Sequence, residues 1–307
     1  MLSKGRKRKG KIVDYDYEEQ INQSLENIHE WFIEELLKGR VKSIYALKEI
    51  KAGEQLEVEI YPQFTRQTLP KGWKIRKKDL QAKRNLNEKN ARTYLERLIL
   101  TNFNENGLWI TLTYDNDHLP PDGDMDRADR NVANFIKRVN RYRKKKGLKN
   151  ARYIYITEYK PYGELRWHHH IIMDNDLTGD EVEDLWNGGG RNNIKKLVKD
   201  ENGLSGMANY LVKESRKIRN EKRWKSSKGL KKPQEKVVHY KKSAAGKTYK
   251  RIESLLDKML RDNQQIEEYM KLWYPNYKTM SFEVKHNNYN GYYYIHTKLW
   301  QTERKDE

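Results

Sequence analysis

The stretch "ARYIYITEYKPYGELRWHHHIIMD" constrains the fold more than any other part of the chain. Apolar and polar residues alternate on both sides of "KPYGE", which supplies the Pro and Gly of a tight turn. The pattern predicts two strands, 151–159 and 165–173, paired as a hairpin. Side chains alternate between the two faces of a strand, so His168 and His170 share one face and His169 takes the other. With the turn centred near Gly163, Glu158 falls opposite His168 and joins the same face, because directly opposed residues do. Two imidazoles and a carboxylate form a donor set with open positions, suited to Mg²⁺ or Mn²⁺. Glu164 is a rival carboxylate, less well placed in the turn.

The elements around this hairpin follow in order. "GLWITLTYD" (107–115) reads as a strand. Residues 126–146 read as a basic helix with Val132, Phe135, Ile136 and Val139 on its buried side. "TGDEVEDLW" (178–186) reads as a short helix capped by Thr178, with acids in its first turn. "NNIKKLV" is a further strand, and "SGMANYLVKESRK" (205–217) a helix capped by Ser205. The order β-α-β-β-α-β-α predicts an α+β fold. It is a ferredoxin-like, RRM-like split β-α-β antiparallel sheet with helices on one face and the other face open. On the last helix Tyr210 and Lys213 stand three residues apart and share a face.

Before the sheet, Ile21, Leu25, Ile28, Phe32 and Leu36 form one stripe of a helix over 15–38, ended by Gly39. A β-hairpin follows, turning at Ala52-Gly53, and then a helix over 79–101. After the sheet, residues 220–250 are basic and poor in apolar residues: a linker, or an arm that follows phosphates. Residues 251–274 read as a helix, and the end as a hairpin turning at Asn290-Gly291. The expected division is an accessory region 1–104, a central domain 105–218, a linker or arm 219–250, and a C-terminal helix and hairpin 251–307. "AAGKT" (244–248) ends like a phosphate-binding loop, but Lys241 stands where that motif needs Gly.

Composition narrows the class of partner. Of 307 residues, 36% are hydrophobic and 35% charged, so the core is thin and the appendages polar. The net charge of +19 points to a polyanion, nucleic acid first. No apolar run approaches the ~20 residues that a membrane span needs. The basic start is followed by acidic rather than apolar residues, so no secretory signal and no membrane partner are expected. Without cysteine, a metal must sit on His, Asp or Glu.

Each piece has an ordinary reading as well. A His-x-His pair also occurs on surfaces and in cores. Tyr-x-x-Lys is common on helices, Glu158 fits a solvated strand end, and Trp109 fits the core as well as a binding face. Order and spacing join them. "WITLTYD" (109–115), "RWHHHIIM" (166–173) and "NYLVK" (209–213) resemble the three ordered motifs of HUH endonucleases. The His pair precedes the Tyr, as in rolling-circle replication initiators of bacterial plasmids, phages and integrative elements. The resemblance covers roughly residues 107–217. It departs from the pattern at His169, where an apolar residue is usual; His169 must find a hydrogen bond on the packed side or reach an edge. It departs again at Gly206, one turn before Tyr210, so only one Tyr is present.

The resemblance implies nicking and rejoining of single-stranded DNA at an origin. His168, His170 and Glu158 would hold the metal. Tyr210 would be the nucleophile, with Lys213 beside it, giving a 5′-phosphotyrosine and a free 3′-hydroxyl. Trp109, Thr111 and Thr113 would face the strand; Arg138, Arg141 and Lys217 are further DNA-binding candidates. The implied partners are a single-stranded or hairpin origin, a host helicase and a polymerase, in the bacterial cytoplasm, with an oligomer allowed. The rival readings are a transposase of the same chemistry, a non-catalytic RRM-like binder, and a metal-dependent hydrolase that does not need Tyr210.

Overall fold

The computed structural model describes residues 11–15, 43–64, 80–103, 107–162, 164–198, 204, 206–207, 211, 224–239, 265–287 and 292–302. The chain divides into two compact units. One joins Met1–Asn90 with Pro233–Glu307, and the other is Ala91–Lys232.

The second unit is built on an antiparallel sheet of β4 (Leu108–Thr113), β5 (Tyr153–Lys160), β6 (Leu165–Met173), β7 (Asn193–Lys196) and β8 (Lys225–Ser226), in the order β7-β4-β6-β5-β8. With α2 (Met125–Lys145) between β4 and β5, and α3 (Gly179–Asp184) between β6 and β7, this is the expected α+β split arrangement. The helix preceding them in the chain, α1 (Leu80–Asn102), matches the one expected at 79–101.

The face of α2 that carries Ala128, Val132, Phe135, Ile136 and Val139 is buried. It packs with Leu108, Ile110 and Leu112 of β4, with Trp167, Ile171 and Met173 of β6, and with Val182 and Trp186. At these positions the helical and strand periods bring apolar side chains onto facing surfaces. Asp124 caps α2 by accepting the Arg127 backbone N–H at 2.9 Å. α3 carries a capping box between Thr178 and Glu181. Arg143 is an exception to the apolar stripe. It is 1% exposed, donates from Nε to the Lys149 carbonyl at 2.6 Å, and pairs with Asp174 at 3.1 Å and with Asp176. Those acceptors replace the water its guanidinium loses.

The first unit holds a six-stranded sheet of β1 (Lys11–Tyr15), β2 (Ser43–Ala52), β3 (Gln55–Phe64), β9 (Gln234–His239), β10 (Tyr277–Asn287) and β11 (Tyr292–Gln301), in the order β1-β10-β11-β3-β2-β9. β1 runs parallel to β10, and the other pairs are antiparallel. α4 (Gln265–Trp273) lays Ile266 and Met270 on a core of Leu47, Val58, Ile60, Val284 and Ile295. The β2–β3 turn falls where the sequence sets it, with Gly53 at φ 62°, a conformation that suits glycine.

The stretch expected to be a linker or arm contains β8 and β9. β9 pairs through its backbone with the edge of β2, an interaction that needs no apolar pattern. The helix expected over 15–38 lies outside the described residues apart from Tyr15, which ends β1. No described helix is long and apolar enough to cross a membrane.

Candidate metal and nucleic-acid site

One row of the second sheet sets the site. Thr113 on β4, His168 on β6 and Glu158 on β5 stand opposite one another, and the next row on the same face holds Thr111, His170 and Ile156. The Glu158 Oε2 lies 3.0 Å from His168 Nε2 and 3.9 Å from His170 Nε2. The three donor atoms lie within 4.8 Å of one another. Glu158 and His170 are buried and His168 is half-buried. The rival Glu164 is exposed and lies 3.8 Å from Lys160.

The proton positions make this a place for a cation. His168 Nδ1 faces the Arg166 carbonyl at 2.9 Å, and a carbonyl only accepts, so Nδ1 donates. In neutral His168 the lone pair is then on Nε2, which points at the Glu158 carboxylate. Two acceptors at 3.0 Å need a proton or a cation between them. Burial, with His168 close by, pulls the His170 imidazole down to about 4, so it is neutral near pH 7 and able to ligate. Glu158 Oε1 is buried with no hydrogen-bond partner among the described residues. A divalent ion fits this donor set of two borderline nitrogens and a hard carboxylate.

The neighbours orient the ligands. Thr111 Oγ1 is 3.1 Å from His170 Nδ1, and the Trp109 ring centroid is 5.5 Å from that of His170. Thr113 donates its hydroxyl to the Arg191 carbonyl at 2.8 Å and its N–H to Asn192 Oδ1 at 3.1 Å. Trp109, Thr111 and Thr113 are half-buried on the face that carries the histidines. This face is not bare: Ile154, Ile156 and Ile172 are buried on it. Exposure rises toward the end of the sheet that holds His168 and Thr113.

Arg138 and Arg141 lie on α2, which packs against the opposite face. Arg138 donates from Nε to the Leu185 carbonyl at 2.7 Å, and Arg141 is exposed. Tyr210, Lys213 and Lys217 lie outside the described residues.

His169 finds hydrogen bonds on the packed side. Its Nε2 is 2.7 Å from the Tyr114 hydroxyl and its Nδ1 is 2.9 Å from the Thr157 hydroxyl. Burial first, and then His168 and His170, pull its pKa down to about 3, so it stays neutral. The sequence reading did not single out Tyr114, Thr157, Arg166 or His118. Arg166 donates to the Tyr114 carbonyl at 3.3 Å and to Asn116 Oδ1 at 3.0 Å. Asp115 accepts both the backbone N–H of His118 and a contact from its Nδ1 at 2.7 Å; the Asp-x-x-His spacing was the available signal.

A second group that could hold a metal is Glu57, Glu59 and His296 in the first unit. Lys298 stands opposite Glu57, and Lys48 opposite Glu59, so ammonium groups border it.

Residues 107–217 match the model of a family described as Replication-associated protein ORF2. Among curated proteins, none matches the chain. Among solved structures, the crystal structure of the hypothetical protein ORF119 from Sulfolobus islandicus rod-shaped virus 1 aligns at 16% identity. The alignment covers 42% of this chain and 97% of that one, with a TM-score of 0.27.

Proposed function

Since residues 107–217 belong to the Replication-associated protein ORF2 family, whose members initiate rolling-circle replication, we propose that this protein nicks and rejoins single-stranded DNA at an origin. The observation that carries this reading is the Glu158–His168–His170 cluster on one sheet face, inside the matched segment.

His168, His170 and Glu158 would hold Mg²⁺ or Mn²⁺, which when bound draws charge from a phosphodiester oxygen. Thr111 and the Arg166 carbonyl fix the rings of His170 and His168. Tyr210 attacks the phosphorus in line through its phenolic oxygen. A Tyr O–P bond forms and the bond to the 3′-oxygen breaks, leaving a 5′-phosphotyrosine and a 3′-hydroxyl that takes up a proton. A phenol of pKa about 10 needs help near pH 7, and Lys213 supplies positive charge beside it. The covalent ester keeps the energy of the broken bond, so rejoining needs no ATP. The 3′-hydroxyl primes a host polymerase, and a host helicase opens the duplex, in the cytoplasm of a bacterial host.

The test is a denaturing gel after incubation with circular single-stranded DNA and Mn²⁺, with and without EDTA. A protein band shifted by attached DNA should appear only with metal, and should vanish in Tyr210→Phe and His168→Ala. Strand cleavage that persists in Tyr210→Phe would replace this reading with a metal-dependent hydrolase. DNA binding without any adduct would replace it with a binding module.

A further inference from the structure

On the helix side of the nuclease sheet, at the end that holds His168 and Thr113, lies a cleft of about 460 Å³. It arises from the sequence of α2. The face next to the buried stripe carries Arg127, Arg130, Asn131, Asn134 and Arg138 at three- and four-residue steps, so these side chains line up along one wall. Tyr114 and Trp186 line the cleft as well, with Asn187 beside them. Trp186 is fixed by donation from its indole N–H to the Thr113 carbonyl at 2.7 Å.

The lining is rich in donors. Three guanidinium groups and three amides face two acids, Asp117 and Asp124, and Asp124 already accepts as the cap of α2. The side chains of Arg127, Arg130 and Asn134 make no hydrogen bond or ion pair with a described residue. Arginine suits a phosphate oxygen through paired N–H groups. A primary amide offers a donor and an acceptor side by side, the pattern that reads a base edge. The volume is in the range of small-ligand sites, roughly 300–1,000 Å³.

We propose that this cleft seats one unpaired nucleotide, with its phosphate on Arg127 and Arg130 and its base against the amides of Asn134 and Asn187. The proposal rests on the reading that the chain holds single-stranded DNA, and it adds a place where that strand is read. Tyr114 in the cleft directly follows Thr113, which stands opposite His168. A strand held at the metal row therefore has only the end of the sheet to round before it enters the cleft. The cleft is also tied to the histidine strand. Asn131 donates to the Tyr114 hydroxyl at 3.3 Å, and that hydroxyl is 2.7 Å from His169.

The experiment uses the full chain in EDTA, which takes the metal row out of the measurement. Binding of each of the four deoxynucleoside monophosphates and of inorganic phosphate is followed by ligand-observed NMR. Affinity for a single-stranded oligonucleotide is followed by fluorescence anisotropy. The parent chain should prefer one mononucleotide over the others by about tenfold, or ~1.4 kcal/mol. Asn134→Ala should level that preference. Arg127→Ala combined with Arg130→Ala should weaken every mononucleotide and the oligonucleotide about tenfold or more. All three positions are exposed, so the variants should fold. The proposal is overturned if inorganic phosphate binds as well as the nucleotides, or if Asn134→Ala changes nothing. It is equally overturned if no mononucleotide binds. A chain that takes mononucleotides but no oligonucleotide would instead sink the single-stranded DNA reading and leave the cleft as a nucleotide site.

Discussion

Glu158 stands directly opposite His168 across the β5–β6 pair, and its Oε2 lies 3.0 Å from the imidazole Nε2. The opposite Nδ1 donates to a carbonyl, so the pair is complete only with a positive charge between its members. Glu158→Gln keeps the shape and removes that requirement. Mn²⁺ affinity, read by calorimetric titration, should fall at least ~10-fold. The melting temperature in EDTA should hold or rise, because a buried carboxylate is costly to desolvate. Unchanged Mn²⁺ affinity would remove Glu158 from the ligand set.

His169 separates the two ligand histidines in sequence and serves the other face. Replacing it with Leu keeps the volume near that of the imidazole but strands the hydroxyl of Thr157 and one bond of Tyr114. The expected loss is ~1–3 kcal/mol in urea unfolding. A variant that keeps its stability and loses metal binding would show that His169 is a ligand instead.

Gly190 is held against β4. A Cβ there would sit 2.4 Å from Thr113 Oγ1 and 2.5 Å from the backbone N of Tyr114. Backbone cannot yield as a long side chain can, so Gly190→Ala should cost ~1–3 kcal/mol and slow nicking by shifting the row that holds His168. Gly179→Ala is the control: its Cβ would meet Ile194 Cγ2 at 3.5 Å, an ordinary contact, at the start of α3. Thermal melts of both variants, with equal losses in the two, would contradict this difference.

Acid should weaken the second unit through Glu181. The side chain of Lys146, then the Thr178 N–H and the Tyr142 hydroxyl, hold this carboxylate down at about 2, against an ordinary value of 4.5. The unfolded chain takes up the proton first as pH falls, so the contribution is complete above pH 4.5 and disappears toward pH 2. The urea midpoint of the parent should fall across that window, and less so in Glu181→Gln. The group is exposed, so high salt should shrink the difference.

The parts of this molecule that depend on near neighbours were legible in the sequence. A period of two on both sides of a Pro-Gly turn sets the β5–β6 register closely enough to bring Glu158 opposite His168. The stripe from Val132 to Val139 announces α2. What depends on distant chain was not legible. β9 reaches the edge of β2 by backbone bonds that leave no trace in side-chain pattern. His296 meets Glu57 across 239 residues of sequence. Alternation put Thr111 on the histidine face but did not reveal that its hydroxyl meets the His170 ring. Arg138 read as a cation for DNA, yet its Nε is held by the Leu185 carbonyl, because α2 brings it beside the end of α3.

The order of the six-stranded sheet also affects how the chain is made. β11, the last strand, lies between β10 and β3. During synthesis the β2–β3 hairpin leaves the ribosome early and waits with one edge uncovered until residues 292–301 arrive. The strands of the nuclease sheet all emerge within that wait. A message cut short after residue 232 would therefore yield a chain with its chemical half closed and an open strand edge elsewhere, ready to pair with another newborn chain.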